Sequence, residues 1–184
     1  MPPRLECVRR AVIAPAGWDA VVALCTRAYD EPFAGYLDPL GDTTHVLAWD
    51  GDVLVSHACW VARTLLCDGR ALRTAYVEAV ATEPAHQRRG HATRVLRALA
   101  DAIARVPAPD GETYDLAALS PSDEAFYARL GWEPWRGPRA VRHADGTEEE
   151  TPDEEVMILR LPRTPAALDV GARLVAPWRP GEVW

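Results

Sequence analysis

One stretch, Glu78 to Val106, constrains this chain more than any other: EAVATEPAHQRRGHATRVLRALADAIARV. It is a short apolar strand, a small basic turn with a single glycine, and an amphipathic helix that begins at once. Ala92, Val95, Leu96, Leu99, Ile103 and Val106 fall on one stripe, with Arg94, Arg97, Asp101 and Arg105 turned away, so the helix packs one face on a sheet. Pro107-Ala108-Pro109-Asp110-Gly111 stops it, and Thr113 to Leu119 reads as another short strand. Strand, helix and strand make a βαβ unit, which implies a parallel or locally splayed pairing. The turn Gln87-Arg88-Arg89-Gly90-His91-Ala92 is the functional candidate within it. Backbone N–H groups point outward where a loop enters a helix, and the helix dipole adds partial positive charge. Two arginines beside such an end suit a pyrophosphate. An ordinary helix N-terminus with solvated arginines presents the same residues; the strand before and the strand after favour the anion site.

The remaining elements are read around this unit. Arg4 to Ile13 is a poorly alternating first strand, and Trp18, Val21, Val22, Leu24, Cys25 and Ala28 recur at helical spacing, giving a helix over 17–29. Asp30 to Thr44, with two prolines and two glycines, reads as a long loop. His45–Trp49, Val53–Leu66 and Ala71–Thr82 are three antiparallel strands joined by two Asp-Gly turns. Ser122 stands at the N-cap position of a short helix over Asp123–Leu130 that Gly131 closes. Trp132 to Val141 is a strand bent at Pro134 and Pro138, Thr147 to Glu155 an acidic loop, and Val156 to Leu161 the last clear strand.

Composition narrows the class. The 184 residues, 48% hydrophobic and 26% charged, suit one globular domain, expected over 1–184. No apolar run approaches the roughly 20 residues of a bilayer span, and the first residues lack the apolar core of a signal peptide. A cytoplasmic protein without membrane partners is expected. Cys7, Cys25, Cys59 and Cys67 are scattered, so they read as small hydrophobes rather than a disulfide frame. His45, His57, His86, His91 and His143 lack ligand spacing, so no metal is expected. A net charge of −7 argues against nucleic acid and for cationic ligands.

Two side chains carry candidate chemistry. Glu78 is a carboxylate inside an apolar strand: either the partner of an arginine or a general base whose pKa burial raises. Tyr127 is either a core aromatic beside Phe126 or a phenol that donates a proton to a leaving group. The acidic loops are either solvated faces or the walls of a polyamine pocket.

Gln87-x-x-Gly90-x-Ala92 after a strand resembles the acetyl-CoA signature of the GCN5-related N-acetyltransferases, and the downstream Tyr127-x-x-x-Gly131-Trp132 is similar to the same pattern. Tyr76-Val77-Glu78-Ala79-Val80-Ala81, Leu119-Ser120, Trp135-x-Gly137-Pro138, Thr151-Pro152-Asp153 and Trp178-Arg179-x-Gly181-x-Val183-Trp184 further resemble the class I aminoglycoside 2′-N-acetyltransferases. The resemblance implies an α/β (α+β) GNAT fold: a central mixed, mostly antiparallel sheet of about seven strands with helices on both faces. It implies acetyl-CoA as cofactor, an aminoglycoside as acceptor and a homodimer. Glu78 is then the base and Tyr127 the acid. Val80, Ala81 and Thr82 hold the acetyl end, and Gln87, Arg88, Arg89, Gly90, His91 and Ala92 the pyrophosphate. Drug contacts fall on Glu31, Glu78, Ala79, Ser120, Asp153, Glu154, Glu182 and Trp184. Ala79 stands where the family commonly has glycine, and Glu182 where it often has aspartate. Two rival readings remain: acetylation of another small amine, antibiotic or peptide N-terminus, and a non-catalytic acyl-CoA- or drug-binding module.

Overall fold

The computed structural model describes residues 2–184. They form four α-helices and ten strands, a mixed α/β fold whose strand pairs are mostly antiparallel. The chain divides into two compact units, residues 2–61 with 77–102 and residues 62–76 with 103–184. The long strands β3 (Val53–Cys67) and β4 (Arg70–Thr82) contribute a half to each.

The first unit holds β1 (Arg4–Arg9) and β2 (Thr43–Asp50), which pair antiparallel with Val8 opposite His45; β2 then pairs antiparallel with β3, His45 opposite Cys59. α1 (Pro15–Tyr29) starts on a proline, whose missing N–H is no loss in a first turn, and ends at Asp30 in the left-handed region. Its Val21, Leu24 and Cys25 pack with Leu47, Leu54, Cys59, Ala79 and Ala81 in a dry core. The stretch from Asp30 to Thr44, expected to be a loop, instead holds α2 (Ala34–Leu37) and a 3₁₀ turn at Asp38–Leu40. Phe33 and Leu37 are buried in the same core, with Tyr36 and Leu40 packed against it. Their spacing is helical, and burial of that face stabilises a helix too short to persist alone. α3 (His91–Ile103) buries Val95, Leu96 and Leu99 as its stripe requires, and it ends before Val106.

In the second unit the strand order is β6-β9-β5-β4-β3-β10-β7-β8. β5 (Leu116–Leu119) lies parallel to β4, Ala75 opposite Ala117, as the βαβ reading requires. The short helix α4 (Glu124–Ala128) is capped by Asp123, not Ser122: Asp123 is the residue in extended conformation, and its carboxylate accepts the Phe126 N–H at 3.0 Å. The expected bent strand is broken by its prolines into β6 (Glu133–Pro134) and β7 (Arg139–Arg142). The acidic loop contains a strand, β8 (Glu148–Glu150), which pairs with β7 and is met by arginines of two segments: Arg142 of β7 meets Glu148 at 2.6 Å, and Arg173, from the chain further on, meets Glu148 and Glu150 at 3.0 and 2.5 Å. β9 (Met157–Arg160) is not the last strand, since β10 (Leu174–Pro177) pairs with both β7 and β3. These short strands raise the count from about seven to ten.

Trp135 to Gly137 crosses the segment 170–172 at van der Waals range. Arg136 and Gly137 donate their N–H groups to the Val170 carbonyl at 2.8 and 2.9 Å, and Trp135 Nε1 donates to the Ala172 carbonyl at 2.8 Å. A Cβ at Gly137 would lie 1.9 Å from the Ala172 carbonyl oxygen. Both sides are backbone, so the clash has no soft partner. Gly137→Ala is expected to lose about 3 kcal/mol or more, read as a fall in urea midpoint at constant slope; an unchanged midpoint would refute the close crossing.

Candidate active site

Strand β4 changes character at Ala79, whose φ of 52° is left-handed inside a strand. For a residue with a Cβ this conformation costs about 1–2 kcal/mol, and it persists only where neighbours over-determine it. Here they do. Four successive β4 carbonyls accept hydrogen bonds from side chains: Glu78 from Cys59 Sγ at 3.6 Å, Ala79 from His57 Nδ1 at 2.8 Å, Val80 from Tyr29 Oη at 3.1 Å and Ala81 from Ser56 Oγ at 3.0 Å. Ser56 Oγ also meets Thr82 Oγ1 at 2.9 Å. Of these positions Val80 and Thr82 are half-buried and the rest are buried.

Glu78, the candidate base, is only 5% exposed. Tyr36 on α2 donates its phenol hydrogen to Glu78 Oε2 at 2.6 Å, which fixes the carboxylate's rotamer. Tyr29, Phe33 and Tyr36 form one aromatic row, with ring centroids 4.5 and 4.7 Å apart. Thus the segment expected to be an unstructured loop supplies the carboxylate's partner. Glu31, the acceptor contact proposed there, lies exposed just beyond α1.

The basic turn has the expected form. Gln87 to Gly90 are exposed, Arg88 and Gly90 are left-handed at 61° and 78°, and the Gly90 carbonyl accepts the first helical bond, from Arg94, at 3.1 Å. Open space surrounds the position of a Gly90 Cβ, so the glycine is required by its φ and not by crowding. Gln87 Nε2 reaches back to the Thr82 carbonyl at 3.5 Å. Nδ1 of His86 and of His91 are buried without a hydrogen-bond partner, their rings 6.0 Å apart. Burial first, then His86, Arg89 and Arg94, hold the His91 pKa below its ordinary value. Orphaned imidazoles and arginines around the half-buried His91 and Ala92 at the start of α3 fit an anionic ligand, so these residues suit a CoA pyrophosphate.

The other candidates belong to the second unit. Tyr127 is 4% exposed, and burial drives its phenol up to about 12, with a hydrogen bond to Ser122 opposing and Asp123 adding to the rise. Ser120 is exposed at the end of β5, and Asp153 is exposed and Glu154 half-buried after β8. Trp184 is buried, and its Nε1 donates to Thr151 Oγ1 at 2.9 Å, which brings the tail against the Thr151-Pro152-Asp153 segment. Arg63 fastens this tail by donating to the carbonyls of Pro177 and Val183, and it stacks over Tyr76 at 4.8 Å. Among the described residues Asp153, Glu154 and Glu182 take part in no ion pair, whereas Glu148 and Glu150 pair with arginines and Glu149 lies 3.2 Å from His143. The polyamine-pocket reading therefore loses the β8 acids and keeps the others. Arg63, Tyr36 and His57 were not anticipated; their partners are backbone carbonyls or distant strands, which linear spacing does not reveal.

Comparison with known proteins follows this geometry. The family described as acetyltransferase (GNAT) domain matches residues 12–135. An aminoglycoside 2′-N-acetyltransferase from Mycolicibacterium fortuitum is 35% identical over 144 residues, 76% of this chain and 70% of that protein. A GNAT family N-acetyltransferase of Escherichia coli (YhbS), solved in complex with CoA, is similar in fold, with TM-score 0.63 at 17% identity over 95% of this chain and 92% of that one. A GCN5-related N-acetyltransferase from Kribbella flavida has TM-score 0.56 at 21% identity over 74% of this chain. The chain spans about a third of that structure's length (34%). At these identities the structures speak for the fold alone. No helix among the described residues is long and apolar enough to cross a membrane.

The first unit's core also encloses two histidines. His45 Nδ1 lies 2.8 Å from His57 Nε2, and both rings are fully buried. Burial, then His57 and Arg10, lowers His45 to about 3; burial lowers His57 to about 4, its bond to the Ala79 carbonyl opposing. The Cys25 thiol, 3.8 Å from His57, is pushed up to about 12 and stays neutral. An unfolded chain binds these protons near the ordinary 6.5, the native state only near 3 to 4, so below pH 6.5 the unfolded state takes up more protons. Stability is therefore full above that value and falls as pH drops. The expected loss from about pH 7 to pH 5 is of order 2 kcal/mol per ring, followed by urea midpoints at stepped pH. A profile flat over that range would show that the rings titrate in the native state as they do in the unfolded chain.

Proposed function

The chain belongs to the acetyltransferase (GNAT) family and is an acetyl-CoA-dependent N-acetyltransferase, and on that premise we propose that it acetylates the 2′-amine of aminoglycosides. The observation that carries the acceptor is the 35% identity to an enzyme of that name across 76% of the chain. A polycationic sugar suits the carboxylates of Asp153, Glu154 and Glu182, and the net charge of −7 steers it inward. Antibiotic resistance is the corresponding role, and the homodimer implied by the resemblance is tested by mass in solution.

In this reading Gln87 to Ala92 hold the pyrophosphate, and amides of Val80 and its neighbours receive the acetyl carbonyl and stabilise its developing negative charge. Glu78 accepts, through water, the proton that the ammonium loses before attack, and the free amine's lone pair then bonds to the acetyl carbon. Tyr36 keeps the Glu78 carboxylate aimed. The family resemblance assigns Tyr127 to the departing sulfur, whose bond to the acetyl carbon breaks. A phenol held near 12 is a weaker acid than an ordinary thiol near 8.5, so full proton transfer would run uphill. Tyr127 therefore acts first as a hydrogen-bond donor to the forming thiolate, and the proton follows with product release.

Thiol release from acetyl-CoA with paired drugs tests the acceptor. Tobramycin and gentamicin, which carry a 2′-amine, are expected to turn over, and amikacin, with a hydroxyl there, is not. Equal turnover of both groups, or faster turnover of a peptide, would contradict the assignment; binding of both ligands without turnover would select the non-catalytic module. Glu78→Gln should lower kcat by about 10²–10⁴ and Tyr36→Phe by about tenfold, both with KM for acetyl-CoA little changed. Wild-type kcat in Glu78→Gln would remove it from the reaction.

A further inference from the structure

We propose that His57, oriented by His45 and Thr43, is a positioning residue that sets the left-handed Ala79 peptide of β4 and thereby the placement of Glu78 and of the Val80 amide. The proposal rests on the reading of Glu78 to Val80 as the reacting segment. Its basis is an unbroken chain of three short hydrogen bonds through the apolar core of the first unit. Thr43 Oγ1 lies 2.7 Å from His45 Nε2, His45 Nδ1 2.8 Å from His57 Nε2, and His57 Nδ1 2.8 Å from the Ala79 carbonyl. All three side chains are buried.

Chemistry gives the chain a direction. A carbonyl oxygen only accepts, so His57 Nδ1 carries the hydrogen. In a neutral ring its Nε2 must then accept, which makes His45 Nδ1 the donor and leaves His45 Nε2 to accept from the Thr43 hydroxyl. One backbone carbonyl thus fixes the tautomer of both rings, and the rings in turn fix that carbonyl. Protonation of either ring would reverse or break the series. Burial first, and then the charge of Arg10, stacked on Trp18 at 3.7 Å, keep it neutral; the groups packed beside it are the Cys25 thiol of α1 and the Trp18 ring, whose centroid lies 5.7 Å from that of His45.

The position of the terminus carries the argument. The clamped carbonyl belongs to the residue between Glu78 and Val80, and that residue is an alanine with φ of 52°. A glycine would take this conformation without help, whereas an alanine needs its peptide held. His57 and Cys59 stand two apart on β3 and bond the successive carbonyls of Ala79 and Glu78. Metal ligation is a second use for His45, His57 and Cys59, whose ligand atoms lie within 4.8 Å of one another. The two ring nitrogens, however, are closer at 2.8 Å than the roughly 3.3 Å that two Zn–N bonds of about 2.0–2.1 Å subtend tetrahedrally. Hydrogen bonding fits the spacing better.

Three readouts on the full chain test this. Long-range ¹H–¹⁵N spectra of the wild type should show both rings as the neutral Nδ1–H tautomer from about pH 5 to 8; an Nε2–H tautomer on either ring, or stoichiometric zinc in the purified protein, overturns the proposal without any variant having to fold. Next, the Val80 amide shift is compared between acetyl-CoA and CoA. It should differ in the wild type, and the difference should be lost in His57→Leu, which has no donor, and kept in His57→Asn, whose amide nitrogen replaces Nδ1. An acetyl-dependent shift that persists in His57→Leu overturns the proposal, while its absence from the wild type sinks the reading of β4 as well. Finally, His57→Leu should lose about tenfold or more in kcat with KM for acetyl-CoA within about twofold, and His57→Asn should recover most of it. Equal kcat in the two variants would mean that the donor has no positioning role.

Discussion

One left-handed peptide in the middle of a strand is the constraint on which the rest depends. A strand with regular dihedrals presents its amides to its neighbours; turning Ala79 to φ of 52° re-aims the peptides on either side. Such a turn is unfavourable for alanine, and the chain stabilises it by holding four consecutive carbonyls with side chains from β3 and α1. The cysteine, histidine and serine that do this are buried, where each would be costly without a partner, while Tyr29 reaches the Val80 carbonyl from the surface. Conformational strain, buried polarity and the placement of Glu78 are therefore one feature viewed in three ways.

This connection explains what could be read from the chain and what could not. The βαβ unit was legible because its signals are local: an apolar strand, Gly90 where φ must be positive, and a stripe at helical period. Tyr36 was hidden because Phe33, Tyr36, Leu37 and Leu40 form too short a helical pattern to stand out among prolines and glycines. His57 was hidden for another reason. Its partners are His45, across a strand pair, and a backbone carbonyl that has no letter in the sequence at all. Glu148 to Glu150 misled in the opposite sense: the run also read as a wall of a polyamine pocket, and only the fold brings Arg142 to Glu148 and Arg173 to Glu148 and Glu150.

The two compact units divide the proposed work. The first holds the carboxylate, the re-aimed strand and the helix N-terminus, to which the proposal gives the acetyl donor. The second holds Tyr127 and the acids that the β8 pairing leaves without an arginine. Its tail is not loose: Arg63 binds two tail carbonyls and Thr151 binds the Trp184 ring nitrogen. In the proposed function, rigid presentation of Glu182 and its neighbours lowers the ordering cost of binding an acceptor.

The claim that β4 polarises the acetyl group is tested most directly by infrared difference spectroscopy of acetyl-CoA carrying a ¹³C carbonyl. Bound to the wild-type protein, its thioester carbonyl stretch should move to lower frequency than in water, and the shift should survive Glu78→Gln, because the amides and not the carboxylate hold the oxygen. A bound carbonyl at its solution frequency would contradict the account.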